Sequence, residues 1–148
     1  MTSLYLWLKF AHLVGLGLFL FGHGISGGAS FALHARPAAA VSRSLLQLST
    51  WSYRIAYPGL LLLVATGIWM GFLGGLWGRA WIWASIGVLV IASGLMTYLS
   101  MPFHRARDAG QAEPQINENV ARTRPAAIAW IGTLALLVIL FMMVFKPF

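Results

Sequence analysis

The chain has 148 residues, of which 59% are hydrophobic and only 9% are charged. Soluble domains carry about 25% charged residues, so this chain has too few charges to cover a surface that faces water. The composition therefore excludes a soluble enzyme, a secreted scaffold and a nucleic-acid binder. The chain has no cysteine, which also excludes iron–sulfur clusters and thiolate zinc sites.

Four apolar stretches follow one another along the chain. They cover residues 4–31, 51–73, 81–101 and 125–145. Each is long enough to cross a bilayer, which takes about 20 apolar residues. Continuous apolar runs indicate helices, and the first run exceeds the core of a signal peptide, which is about 7–15 residues long. The sequence thus predicts an all-α integral membrane protein, with residues 1–148 forming a single four-transmembrane-helix bundle.

Cations are distributed unequally between the two ends of the predicted bundle. The polar connections 34–50 and 102–124 hold six Lys and Arg residues, and Arg54 at the membrane edge makes seven, against Lys9, Arg79 and Lys146 at the other end. Cytoplasmic loops are enriched in Lys and Arg. The sequence therefore predicts a multi-pass protein of a bacterial-type plasma (inner) membrane, with both connections cytoplasmic and both termini outside. The expected partners are the lipid bilayer and either a larger membrane complex or a homo-oligomer, and no nucleic acid.

The first span carries a polar stripe. Its members are Lys9, His12, His23, Ser26, Ser30 and, just beyond the span, His34. At about 100° per residue they share one helix face, and successive histidines are about three turns or 16.5 Å apart. Polar side chains are costly in hydrocarbon, so the stripe is expected to face the bundle interior or a cavity.

Two interpretations of this stripe remain open. In the first, a histidine nitrogen ligates haem iron, and nearby glycines leave room for a flat macrocycle. The glycines are Gly15, Gly17, Gly22, Gly24, Gly27 and Gly28. In the second, His12 and His23 form hydrogen bonds between helices, and Gly24 and Gly28 serve close helix packing through their four-residue spacing.

Two candidates lie outside the first span. His104 shares a helix face with Ser100 if the third helix continues past Pro102, and it is then expected at the cytoplasmic level, opposite His23 or near His34. Arg54 is a candidate partner for a haem propionate, as is Lys9. The alternative for Arg54 is an ordinary cationic anchor at the membrane edge.

Most of the chain resembles known membrane families. The run LWLKFAH at residues 6–12 resembles the W-x-K-x-x-H opening of the HemJ-type protoporphyrinogen oxidases and the related CopD-like proteins. Residues 21–28, 71–84 and 100–107 resemble a family of predicted four-helix integral membrane proteins in that group. The resemblance implies haem binding through His12. HemJ-type proteins also use a lysine early in the third span, and residues 81–86 contain none, which weakens porphyrinogen oxidation as the activity.

The leading hypothesis is a membrane protein that binds haem b for electron transfer or redox sensing and is not by itself an enzyme; if it is one, an oxidoreductase is expected. His12 and His23 are the candidate axial ligands of the iron. His104, Lys9 and Arg54 are further candidates for contact with the cofactor. One alternative is a cofactor-free accessory subunit of a larger membrane complex, and another is a HemJ-like porphyrinogen oxidase.

Overall fold

The computed structural model describes residues 2–107 and 113–147. Within these ranges the chain forms helices and no strand, in the order α1 (Thr2–His34), α2 (Ala39–Leu73), α3 (Ala80–Ala106), α4 (Glu113–Arg122) and α5 (Pro125–Phe145), with one 3-10 turn at Leu76–Gly78. All of the helices except α4 are long and apolar enough to cross a membrane. The prediction of an all-α membrane protein with four spanning helices is therefore confirmed.

The helices end and begin where the backbone favours it. Arg36, with φ of 51°, and Pro37 interrupt the chain between α1 and α2, and Gly75, with φ of 59°, turns it after α2. Pro125 occupies the first turn of α5. Proline is preferred there because its missing amide would have no helical acceptor.

Several helix boundaries differ from the predicted spans. α2 begins at Ala39, so most of the predicted 34–50 connection is helical. α3 continues through Pro102 to Ala106, and the 102–124 connection contains α4, while residues 108–112 of that connection lie outside the described part of the chain. At 33 and 35 residues, α1 and α2 are about 50 Å long. They exceed the roughly 30 Å of hydrocarbon, so they project beyond it.

The helices α1 and α2 form a tight antiparallel pair. On α1 the buried small residues Gly15, Gly22 and Ala29 recur every seven positions, and on α2 Ser52, Gly59 and Thr66 do the same. A seven-residue repeat keeps one face of each helix against its partner. Small side chains in that repeat let the two backbones approach closely.

The remaining spans, α3 and α5, form a second antiparallel pair, and α4 packs on α3. The two pairs meet in a cluster of buried apolar residues, Leu33, Leu46, Phe103, Ala106 and Val120. This cluster lies at the end of the molecule that carries the α1–α2 turn and α4. We call this end of the molecule the arginine-rich end, because six arginines lie there: Arg36, Arg43, Arg105, Arg107, Arg122 and Arg124.

Candidate functional site

His12 is held against α2 by hydrogen bonds on one side of its ring. Its Nδ1 lies 2.9 Å from the carbonyl oxygen of Leu63 and 3.1 Å from Oγ1 of Thr66. A carbonyl oxygen can only accept, so Nδ1 carries the proton and donates it. Nε2 of the neutral ring then keeps its lone pair, and it forms no hydrogen bond with the residues that the structure describes.

Two neighbours on α2 complete the orientation of the His12 ring. The Thr66 hydroxyl donates to the carbonyl of Leu62 at 2.6 Å, so its oxygen presents a lone pair to His12. Gly67 leaves space for the ring, because a Cβ there would lie 3.1 Å from Cε1 of His12. A histidine with one nitrogen anchored to a carbonyl and the other unprotonated is the arrangement typical of a metal-ligating imidazole.

His23 differs from His12 in having no polar anchor. Its ring stacks on Phe19, one turn earlier on α1, with the ring centroids 5.6 Å apart. Neither of its nitrogens forms a hydrogen bond within the described residues, and the ring is half-buried. His12 and His23 are about 16.5 Å apart along the helix, so they cannot share one metal ion.

His34 uses both of its ring nitrogens at the arginine-rich end. Nδ1 lies 3.0 Å from the Ser30 carbonyl oxygen, and Nε2 lies 3.1 Å from that of Thr123. Two carbonyl acceptors require two N–H donors, so both bonds form together only in the imidazolium form. His34 of α1 thus bonds to Thr123, which lies just before α5. It is therefore a structural contact between the two helix pairs.

A second polar group lies between the helix pairs at the level of Ser26. The Ser26 hydroxyl is 2.8 Å from that of Ser49, which is fully buried, and the Tyr53 hydroxyl is turned toward Ser26. Tyr53 stacks on the His104 ring with the centroids 5.8 Å apart, and the guanidinium of Arg107 lies 4.2 Å above Tyr53. Arg107 also forms a hydrogen bond with Nδ1 of His104.

The structure brings the predicted site residues together only in part. The ring of His104 packs on Tyr53, whose hydroxyl is turned toward Ser26 of α1. Lys9 is exposed on α1, and the guanidinium of exposed Arg54 lies 3.9 Å over the Trp51 ring. No group of three or more His, Cys, Asp or Glu side chains that could hold a metal ion occurs among the described residues.

The glycines of the first span divide into two sets. A Cβ at Gly15 would lie 2.7 Å from the Leu63 nitrogen, and one at Gly22 would lie 2.7 Å from the Ser52 carbonyl oxygen. These two glycines make the close helix contact. Gly24 and Gly28, which the sequence suggested for that role, have nothing within 4 Å of the same position. Gly17 and Gly27 face open space as well.

Sequence reasoning did not identify the residues of α2 that face the histidines. Leu63 acts through its backbone carbonyl, which no side-chain pattern reveals. Thr66 and Gly67 lie inside an apolar run and look like ordinary small residues of a span. The seven-residue spacing of Ser52, Gly59 and Thr66 was the available signal that this face packs against another helix.

Comparison with known proteins assigns the chain to a protein family. Neither the curated proteins nor the solved structures contain a match for this chain. The family described as "Predicted integral membrane protein (DUF2269)" matches residues 6–147. Because this range covers almost the whole chain and all four spans, the protein belongs to that family of predicted integral membrane proteins.

Proposed function

We propose that the protein binds haem b in the membrane through Nε2 of His12 and acts in electron transfer or redox sensing. The observation that carries this proposal is the hydrogen bond from Nδ1 of His12 to the Leu63 carbonyl. It fixes the tautomer and the orientation of the ring and leaves one basic nitrogen for a ligand. The resemblance of Trp7, Lys9 and His12 to the HemJ-type motif supports the same residue.

The residues around His12 have separate roles in this proposal. Leu63 and Thr66 orient the ring, and Gly67 keeps space for it. Lys9, one turn before His12 and exposed, would offset the charge of a propionate. Bound haem would supply one-electron chemistry, in which the iron changes between its ferrous and ferric states.

The absorption spectrum of the purified full-length protein, produced in cells supplied with haem, tests the proposal. We expect a Soret band that is lost in His12→Ala and retained in His34→Ala. The second variant is a matched control, because His34 is on the same helix with both nitrogens directed at carbonyls. A colourless wild-type protein after haem supplementation, or a band that survives His12→Ala, would overturn the proposal.

Two further variants distinguish the candidate ligands. Loss of the band in His23→Ala with retention in His12→Ala would move the ligand to His23 and overturn our assignment. We expect Thr66→Val to keep the band but to bind haem about tenfold more weakly, because partners that orient a ligating histidine contribute about 10–100-fold to affinity.

The second candidate function is a cofactor-free accessory subunit of a membrane complex. Gly17, Gly24 and Gly28 favour it, since these exposed glycines of α1 have open space around them and none of the described helices covers them. It predicts that the wild-type protein is colourless and co-purifies with other membrane proteins. His12→Ala would then weaken the α1–α2 contact without changing any spectrum.

We also propose that the protein lies in a bacterial-type plasma membrane, with its termini outside and connections 34–50 and 102–124 in the cytoplasm. The excess of cations at the arginine-rich end supports this orientation. Because the chain has no cysteine, single substitutions can be labelled without background. We expect a membrane-impermeant maleimide to label Gly78→Cys in intact cells and Ala38→Cys only after lysis; the reverse pattern would invert the topology.

A further inference from the structure

A polar cavity opens at the arginine-rich end of the molecule. Its volume is about 300 Å³. It is lined by the end of α3 and by the junction between α4 and α5, through Tyr98, Leu99, Met101, Pro102, Arg105, Arg122 and Arg124. Three of these lining residues are arginines and the other four have mainly apolar side chains, and neither His12 nor His23 contributes to the lining.

The fold brings the three arginines to this cavity from separate places in the sequence. Arg105 lies in the last turn of α3, which continues past Pro102 instead of ending there. α4 packs the apolar side chains Ile116 and Val120 against the cluster between the helix pairs. That contact fixes the direction of α4, so that Arg122 at its end and Arg124 before α5 face the end of α3.

The charge of the cavity is only partly neutralised by the protein. Arg122 forms an exposed ion pair with Glu118 at 2.6 Å. The guanidinium groups of Arg105 and Arg124 form no ion pair or hydrogen bond with any other described residue. Two guanidinium groups at the cavity therefore have no anionic partner within the described part of the chain, and guanidinium is the side-chain group that best matches the geometry of a phosphate.

The backbone at the cavity adds to the attraction for an anion. α5 begins beside Arg124, and its first helical hydrogen bond runs from the Ile128 amide to the Arg124 carbonyl at 3.1 Å. Pro125 has no amide hydrogen, so the amides of Ala126 and Ala127 are the ones in the first turn of α5 without an acceptor within the helix. The N-terminal end of a helix also carries partial positive charge.

The apolar part of the cavity identifies the source of the phosphate. Tyr98 and Met101 are 67% and 45% exposed, and they lead from the arginines to the exposed aliphatic side chains of α3 such as Leu95 and Ile91. α3 is a membrane-spanning helix. A ligand with a phosphate at the arginines would therefore extend its remaining part along the lipid-facing side of α3, as the acyl chains of a phospholipid would.

We infer that this cavity is a binding site for the headgroup of an anionic phospholipid, with Arg105 and Arg124 contacting its phosphate and Leu99 and Met101 contacting the start of its acyl chains. This site is separate from His12 and does not depend on haem. Each arginine at a membrane surface contributes to the affinity for anionic lipid, by about fivefold for one charge. The site selects lipids by their negative charge. Its affinity depends on two arginines lying together at one cavity.

The test measures lipids retained by the full-length protein in detergent, by native mass spectrometry, after exposure to vesicles containing equal amounts of phosphatidylglycerol and phosphatidylcholine. We expect wild-type protein to retain phosphatidylglycerol preferentially, and R105Q/R124Q to lose on the order of tenfold of that preference. The control R43Q/R79Q removes the same charge from exposed arginines outside the cavity. We expect it to stay within about twofold of wild type.

Several results would overturn the inference. Equal losses in the two double variants would show that charge alone, and not this cavity, selects the lipid. Displacement of the retained lipid by millimolar inorganic phosphate would assign the cavity to a free anion. A third measurement needs no variant: thermal unfolding of the wild-type protein should shift upward with phosphatidylglycerol and not with phosphatidylcholine, and equal shifts would contradict a headgroup site.

Discussion

The two helix pairs of this protein are built on different physical principles. The first pair, α1 and α2, brings backbone against backbone through glycines, and polar side chains cross its interface at His12, Ser26 and Ser49. In the second pair, α3 and α5, the flexible side chain of Met96 lies against Gly132, and α5 contains no residue that is buried within the chain. Within the described residues, no hydrogen bond joins side chains of α3 to α5.

This difference assigns different roles to the two pairs. Lipid tails are as apolar as leucine, so apolar contact alone gives membrane helices little drive to associate. The first pair is held by close packing and hydrogen bonds. These contacts fix both the height of His12 along α2 and the direction in which its side chain leaves α1. The second pair exposes most of its apolar side chains on its own surface, and it carries Arg105 and Arg124 at one end. We therefore expect substitutions at the α1–α2 interface to be the more damaging.

The largest effect is expected at Gly59, where a side chain would meet backbone atoms that cannot move. A Cβ there would lie 2.6 Å from the Phe19 nitrogen and 3.0 Å from the Gly15 carbonyl oxygen. We expect Gly59→Ala to lower the free energy of unfolding by about 2–3 kcal/mol, since overpacking of this kind typically costs about 1–3 kcal/mol. The change in the free energy of unfolding can be measured by unfolding both proteins in mixed micelles with increasing fractions of sodium dodecyl sulfate.

Gly24→Ala is the matched control for this prediction. It makes the same chemical change on the neighbouring helix, where a Cβ meets nothing within 4 Å. We expect its stability to equal that of the wild type or to exceed it slightly, because alanine loses less backbone freedom than glycine in a helix. If both variants lost the same stability, the close contact would not be located at Gly59.

The four spans were predictable from the sequence because hydrocarbon thickness sets the length of an apolar run, whatever the packing. The partners within the bundle were less accessible, since small-residue spacings occur on several faces of α1. Gly24 and Gly28 have the four-residue spacing, yet Gly15 and Gly22, seven apart, make the contact. Only the matching repeat of Ser52 and Gly59 on α2 distinguishes the two faces.

The candidate site shows the same limit. His12 stood out because an ionisable side chain in an apolar run is costly and needs a partner. Its partner is a backbone carbonyl at Leu63, whose position follows from the register of the two helices. Similarly, Pro102 suggested the end of α3, but tertiary packing at Phe103 and Ala106 continues the helix, and this brings Arg105 to the cavity.

The next largest effect is expected when His12 loses its hydrogen bond to α2. We expect His12→Leu, in protein prepared without haem, to be less stable than the wild type by about 1 kcal/mol, because side-chain hydrogen bonds between membrane helices contribute about 0.6 kcal/mol on average and at most about 1.7. His23→Leu is the control, since His23 has no hydrogen bond within the described residues. Equal stability of His12→Leu and wild type would show that the bond contributes nothing to the pair.

A smaller effect is expected for the serine pair between α1 and α2. We expect Ser49→Ala to cost about 0.6 kcal/mol, because it leaves the buried Ser26 hydroxyl without the partner that lies 2.8 Å away. The double variant S26A/S49A is expected to lose less than the sum of the two single losses, since each single loss already includes the one Ser26–Ser49 hydrogen bond. Strict additivity of the two single losses would indicate that the hydroxyls do not interact.

The smallest effect is expected at Gly132, the counterpart of Gly59 in the second pair. A Cβ there would lie 3.0 Å from Cε of Met96 and 3.4 Å from its sulfur. Methionine has three rotatable bonds and its end can move aside, whereas the backbone facing Gly59 cannot. The better helix propensity of alanine offsets the small steric cost of moving Met96. We therefore expect Gly132→Ala to change the free energy of unfolding by less than about 0.5 kcal/mol. A loss as large as that of Gly59→Ala would mean that α3 and α5 are packed as tightly as α1 and α2, and the distinction between a precise pair and an adaptable pair would then fail.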